Sequence, residues 1–312
     1  MVKHLLEQQS SASAKNYYFQ VRGTKLELPV SIIKGKESGP TVLITAGIHG
    51  SEYPGIEAAK RLIQEIDPDR LVGNLLIFPC INQRAFFERA AFINPADGKN
   101  LNRCFPGNPT GTESERLAYA LETEIFYLAD FYLDFHSGDL SEQLESFVFV
   151  PGFGEDSVMQ KARQAANYLN LPFGVASQSR TGAYNHASII GVPSLLIERG
   201  GYGERCAKDI AGFVDDAKRI MTHLGMLEHS LLKKKELKLL TQICYFDSTL
   251  TGLWTPACKI GNVVKKGQLL GVTEDFFGNI LGEYTAEQDG QILYQVTSLP
   301  IVSGEVLIAY GY

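Results

Sequence analysis

The sequence predicts an α/β fold, a sheet covered by helices on both faces, followed by a small all-β module. Three observations carry that expectation. From about Tyr17 to Leu232, apolar runs rich in β-branched residues alternate with longer stretches of helical period. The runs are apolar almost throughout, as in strands buried on both sides. Beyond Lys233-Lys234-Lys235 the texture changes to short strand-like runs broken by Gly252, Gly261, Gly267, Gly271, Gly278, Gly282, Gly290 and Gly304.

The first strands are expected at 30–33 and 41–46. A helix over 55–66 follows, with Pro54 at its first turn, where a missing N–H costs nothing. Next come a strand at 74–79 and a helix over 114–129, with Thr112 or Ser114 as its N-cap. Strands at 132–135 and 146–150, a helix over 157–170, a strand at 194–198 and a helix over 207–224 complete the larger part. The dense turn signals after residue 237 read as a β module. The division is expected near 232–237, giving units 1–236 and 237–312. The lysine run there reads as a solvated helix end and linker.

With 312 residues the chain has room for one large domain or two ordinary ones, at roughly 150 residues each. Apolar residues make up 45% and charged residues 21%, which supplies a core and excludes general disorder. A net charge of −6 excludes a dedicated nucleic-acid binder, which needs a basic face for phosphates. The longest apolar runs, at 75–81 and 192–197, fall far short of the roughly 18 residues of a membrane span. The first fifteen residues are polar, so no signal peptide is expected. Five cysteines without a CxxC pair read as reduced thiols, and the expected compartment is the cytoplasm. Oligomeric state, a homo-oligomer included, stays open.

Four segments carry chemistry. In Thr45-Ala46-Gly47-Ile48-His49-Gly50-Ser51-Glu52 a strand runs into a glycine-flanked turn. His49 and Glu52, three apart, can meet on one ion at the strand's carboxyl end, where α/β sheets place their sites. Gly47 and Gly50 either permit a close backbone approach or serve a tight turn. A second strand, Tyr132-Leu133-Asp134-Phe135, ends in His136-Ser137-Gly138. His49, Glu52 and His136 together are the two-histidine, one-carboxylate set of a catalytic zinc with an open fourth position. Asp134 either orients a ligand or is a structural ion-pair partner.

The third segment is the polar loop from Asn94 to Gly107, in which Asn102 and Arg103 supply amide and guanidinium donors suited to a carboxylate. The alternative is a loop tied down by its own side chains. Cys104 within it reads as a small buried residue, not a nucleophile. In the fourth, Glu198 ends the apolar run Leu195-Leu196-Ile197, just before Gly200-Gly201. It is either a general base with a tuned pKa or an ion-pair partner of Arg199.

In this order the four segments resemble the succinylglutamate desuccinylase/aspartoacylase family, the amidohydrolase branch of the zinc carboxypeptidase fold, from about residue 38 to the C-terminus. The resemblance implies a mixed sheet covered by helices and one zinc per chain on His49, Glu52 and His136. It implies Glu198 as the catalytic glutamate and Asn102-Arg103 as the pair that holds a substrate carboxylate. Arg89 is matched to the arginine that polarises the scissile carbonyl, with Arg84 close by. Many relatives have Asp-Leu-Asn-Arg where this chain has Asn100-Leu101-Asn102-Arg103, a change that removes one loop charge. The C-terminal module resembles a lipoyl- or biotinyl-like sandwich. It has no Met-Lys-Met triplet, so no biotin is expected. The family's β module narrows access to the metal, which implies small N-acyl substrates. The implied activity is zinc-dependent hydrolysis of an N-acyl amino acid or related compound. A carboxypeptidase-like peptidase and a non-catalytic binding protein are the rival readings. The acyl group, the amine and the role of the 178–186 loop stay open.

Overall fold

The computed structural model describes residues 1–228 and 234–312, so Leu232 and Lys233 of the expected linker lie outside the described residues. The chain begins with a short helix α1 (Val2–Gln8), then strands β1 (Ser13–Gln20), β2 (Glu27–Lys34) and β3 (Glu37–Ala46). Helix α2 (Tyr53–Glu65), strand β4 (Val72–Phe78) and helices α3 (Gln83–Glu88) and α4 (Glu113–Ala120) lead to β5 (Phe131–His136). Then come β6 (Glu142–Leu144), β7 (Phe147–Val150), α5 (Asp156–Ala166), β8 (Phe173–Ala176), α6 (Ala183–Ile189), β9 (Ser194–Glu198), α7 (Ala207–His223) and β10 (Lys238–Leu240).

One nine-stranded sheet organises these elements, in the order β1-β2-β4-β3-β5-β9-β7-β8-β10. Its centre, β4-β3-β5-β9, is parallel, while β2 and β7 border that centre antiparallel. The sheet is therefore mixed, as the family resemblance implied. On one face α2, α5 and α7 cover Val42, Ile44, Leu133, Phe135, Leu195 and Ile197. The spacing explains the fit of α7, whose buried Phe213, Val214, Ala217, Ile220 and Met221 form one helical stripe. On the other face α4 and α6 meet Leu43, Tyr132 and Leu196.

The helix expected over 114–129 ends at Ala120. A π turn at Leu121–Ile125 and a 3-10 turn at Phe126–Leu128 replace its second half. The cause is tertiary: Phe126 stacks on both Tyr132 and Phe105, at 5.1 and 5.7 Å between ring centroids. The N-cap is Thr112, whose N–H donates to the Glu115 carboxylate at 2.8 Å.

The remaining strands are β11 (Ile243–Asp247), β12 (Gly252–Pro256), β13 (Val263–Val264), β14 (Leu269–Glu274), β15 (Ile280–Thr285), β16 (Gly290–Val296), β17 (Pro300–Ile301) and β18 (Val306–Gly311). They form two antiparallel sheets that enclose Trp254, Leu270, Tyr284, Ile292, Ile308 and Tyr310. The two parts exchange strands: β10 extends the nine-stranded sheet beside β8, and β6 extends the five-stranded sheet beside β16. Among the described residues, no helix is long and apolar enough to cross a membrane.

Candidate active site and metal centre

The site forms where the parallel strands end. Beyond β3, Gly47 turns the chain with φ +66°, a left-handed conformation that glycine adopts without penalty. Gly50 serves a different need, because a Cβ there would lie 2.3 Å from the backbone carbon of Ala85 in α3. Both glycine readings therefore hold, one for each residue. The turn delivers His49 and ends on Glu52, the residue that caps α2. On β5, Tyr132, Asp134 and His136 point to one face, while Leu133 and Phe135 join the core on the other. The parallel register sets Asp134 beside Thr45 and His136 beside Glu198.

Glu52 stands between the two imidazoles. Its Oε1 lies 2.6 Å from His49 Nδ1 and its Oε2 lies 3.0 Å from His136 Nδ1. One donor atom from each of the three residues falls within 4.8 Å of the others. The far nitrogens are also engaged: His49 Nε2 lies 3.1 Å from Asn100 Oδ1, and His136 Nε2 lies 3.2 Å from Asp134 Oδ2. The second pair is not aligned as a hydrogen bond and leaves both buried atoms without one. Asp134 accepts a 2.7 Å bond from Thr45 Oγ1, which fixes its carboxylate behind His136. Asp134 is therefore placed to orient that imidazole.

Burial works against charge on Glu52, yet the two imidazoles overcome it and hold its carboxyl at about 2. Burial also disfavours protonation of His136, but Glu52 and Asp134 outweigh it and raise its pKa. An ionised carboxylate between two imidazoles, buried and with donors converging, is a donor set that fits a zinc ion. Glu198 differs. Burial pushes its carboxyl well above the usual range, His136 opposes, and Glu52, Glu142 and Asp134 add to the rise. Its Oε2 is buried without a hydrogen-bond partner among the described residues. Arg199 is not its partner, because that guanidinium binds Asp216 at 2.8 Å on the other side of the strand end.

The 94–107 loop answers to both of its readings. Asn94, Asp97 and Asn100 each accept a backbone N–H within the loop, and Asp97 also holds the start of α4 through Ser114. Asn102 is buried, and its Oδ1 accepts the Ala183 N–H at 2.9 Å, so its amide donors alone are free for a ligand. Arg103 is exposed, and among the described residues its guanidinium meets only the Asn102 carbonyl, at 3.5 Å. Cys104 is half-buried, not buried. Arg89 is the left-handed C-cap of α3, exposed and without an ion pair among the described residues. Arg84 is committed to Glu113 and Glu88.

Residues that sequence reasoning passed over complete the surroundings. Asp139 and Glu142 follow His136-Ser137-Gly138, and Glu142 Oε2 accepts the Asp139 N–H at 3.0 Å. Burial and the Asp139 charge push Glu142 up to about 7. Its Oε1 accepts a 2.7 Å bond from Tyr294 of β16. The Asp-x-x-Glu spacing directly after a histidine strand end was a readable signal. Tyr294, from the distant β module, had none.

Residues 38–224 match the model of the succinylglutamate desuccinylase/aspartoacylase catalytic domain. The N-alpha-acetyl-L-2,4-diaminobutyric acid deacetylase of Halomonas elongata is 28% identical over 272 residues, which span 84% of this chain and 79% of that protein. The product-bound structure of the ectoine utilization protein EutE (DoeB) from Ruegeria pomeroyi superposes with a TM-score of 0.86 at 26% identity, over 96% of this chain and 95% of that one. A succinylglutamate desuccinylase/aspartoacylase from Rhodobacter sphaeroides shares the fold at 24% identity and a TM-score of 0.82, with 96% and 95% covered. The match across most of the nine-stranded part, with the His49, Glu52 and His136 cluster inside it, places the chain in the succinylglutamate desuccinylase/aspartoacylase family.

Proposed function

We propose that this protein is a zinc-dependent deacylase of small N-acyl amino acids. The observation that carries the reading is the meeting of His49, Glu52 and His136 with Glu198 in register on the adjacent strand. His49, Glu52 and His136 would hold the ion. When bound, zinc acidifies water towards a pKa of ~7 and polarises an acyl carbonyl. Glu198 takes a proton from the attacking water and returns it to the leaving amine nitrogen. Burial raises its pKa above the usual carboxylate range, which favours its holding the proton that it passes on. Arg103 and the free amide donors of Asn102 hold the substrate carboxylate, and orientation converts binding into rate. Arg89, at the C-cap of α3, is the residue assigned to polarise the carbonyl oxygen.

The substrate's side chain carries an ammonium group. Asp139 and Glu142, joined by the bond from the Asp139 N–H to Glu142 Oε2, lie in the segment just past His136, and their carboxylates are assigned to that ammonium group. The Halomonas relative is named for a substrate with two amino groups, one of them acetylated. The test is a deacylation panel on N-acetyl-2,4-diaminobutyrate, N-acetylaspartate, N-succinylglutamate and an acetylated tripeptide, with metal content measured in parallel. The diamino compound is expected to lead the acidic compounds by at least ~10-fold in kcat/KM, as a desolvated charge contact implies. A preference for N-acetylaspartate overturns the ammonium reading. Zinc-loaded protein that cleaves only the tripeptide overturns the deacylase reading in favour of a peptidase.

A further inference from the structure

Behind the metal-binding cluster, β3 and β5 carry three polar side chains with no exposed surface. Thr45, Tyr132 and Asp134 are fully buried, on the sheet face where Leu43 and Leu196 form the core. Thr45 of β3 is paired with Asp134 of β5 in the parallel register. Tyr132 lies two residues before Asp134 and so shares its face. Polar groups at such depth cost stability unless they bond to one another, and apolar side chains would fill this face without that demand.

The three bond in a fixed order. Thr45 Oγ1 donates to Asp134 Oδ1 at 2.7 Å, which uses the single proton of that hydroxyl. In the 2.6 Å contact between Thr45 Oγ1 and the Tyr132 hydroxyl, the phenol is therefore the donor. The Tyr132 ring is in turn stacked on Phe126. Hydrogen bonds thus run from Tyr132 to Thr45 to Asp134, and the far end of the chain is anchored in the core.

At the near end, Asp134 Oδ2 has no hydrogen bond among the described residues and faces His136 Nε2 at 3.2 Å. The other ring nitrogen, Nδ1, lies 3.0 Å from Glu52 Oε2, on the side of the donor cluster. A carboxylate free to turn could offer either oxygen to the imidazole, or neither. With Oδ1 tied to Thr45 it offers Oδ2 alone, an acceptor that calls for a proton on Nε2. A neutral imidazole with its proton on Nε2 has its lone pair on Nδ1, where a metal ligand needs it.

We propose that Thr45 and Tyr132 are positioning residues of the metal centre, which through Asp134 hold His136 with its proton on Nε2 and its lone pair on Nδ1. The proposal rests on the zinc reading, and its test is zinc binding to the metal-free protein, not turnover. Dissociation constants are measured by chelator competition for wild type, Thr45→Val, Thr45→Ser and Tyr132→Phe. Thr45→Val keeps the shape and removes the hydroxyl, so zinc should bind at least ~10-fold more weakly. Thr45→Ser restores the hydroxyl and should return to within about 2-fold of wild type. Tyr132→Phe keeps the ring stack and loses only the outer donor, so its loss should fall between the two. In zinc-loaded protein, proton NMR should show a slowly exchanging His136 Nε2–H in wild type and Thr45→Ser, and its loss in Thr45→Val. A merely structural role lowers the melting temperature of metal-free Thr45→Val but leaves its zinc affinity and that resonance unchanged, which overturns the proposal. Failure of Thr45→Ser to recover affinity also overturns it. Should Thr45→Val not fold, wild-type affinity with an unchanged resonance in Tyr132→Phe does the same. A wild-type protein that binds no zinc sinks the zinc reading as well, whereas a zinc-binding wild type with unaffected variants sinks this proposal alone.

Discussion

Glu198 illustrates how a single residue takes its chemistry from its position. It ends β9 level with His136, and its Oε2 is buried without a partner among the described residues. Such a carboxyl is costly for the fold and useful for proton transfer. Glu198→Gln keeps the shape and cannot take a proton, so turnover should fall by at least ~10²-fold. Arg199 is held by Asp216, so no ion pair is lost and melting temperature should hold or rise. Turnover, zinc content and melting temperature on one preparation decide it: wild-type turnover in a folded, zinc-loaded mutant rejects the proton-transfer role. His49, Glu52, His136 and Glu198 were legible because each stands at an apolar strand end or in the glycine turn just past one. Tyr294 was not, because the strand exchange that brings the β module to Glu142 leaves no local pattern. Asn102 was half legible, since the sequence gives no sign that its carbonyl is committed to Ala183.

At the scale of elements, the strands of the sheet centre follow their apolar runs closely, because burial on both faces writes a continuous signal. The edge strand β1 was missed: of its eight residues only Phe19 is buried, so its pattern is that of a loop. The short α3 and α6 were missed for lack of length, yet α3 shapes the site. Its backbone touches the His49 turn so closely that Gly50 has no room for a Cβ, with Ala85 C at 2.3 Å and Phe86 N at 2.4 Å. Neither backbone can yield without moving the turn or the helix. Gly50→Ala should therefore destabilise by about 1–3 kcal/mol and weaken metal binding by shifting His49 relative to Glu52. Gly98→Ala is the comparison. Its Cβ would meet nothing within 4 Å, so only its positive φ costs stability, about 1 kcal/mol. Zinc titration with thermal melts checks the pair, and equal zinc affinity in both variants would refute the steric argument.

Across the whole molecule, the strand exchange and the Tyr294–Glu142 bond tie the β module to the segment that follows His136. Glu142 is the point where that tie meets electrostatic cost. Its carboxyl, ordinarily near 4.5, is held at about 7, first by burial and then by Asp139. Between those values the folded protein binds more protons at this group than the unfolded chain does. Stability from this group therefore falls as pH rises from about 4.5 to about 7, and the cost is fully present above 7. Glu142→Gln removes the charge and keeps both hydrogen bonds, with its oxygen accepting from Asp139 N–H and its amide donating to the Tyr294 oxygen. The variant should match wild type near pH 5 and exceed it at pH 8 by an amount on the order of 1–3 kcal/mol. Urea unfolding at intervals from pH 5 to 8 measures the difference. A gap that does not change with pH would mean that packing, not ionisation, separates the two proteins. On the proposed ammonium reading, the same substitution should raise KM for an ammonium-bearing substrate, because it removes one of two carboxylate charges. Stability gained and binding lost in one variant is the outcome that a site carboxylate predicts. A purely structural link to Tyr294 predicts the first without the second.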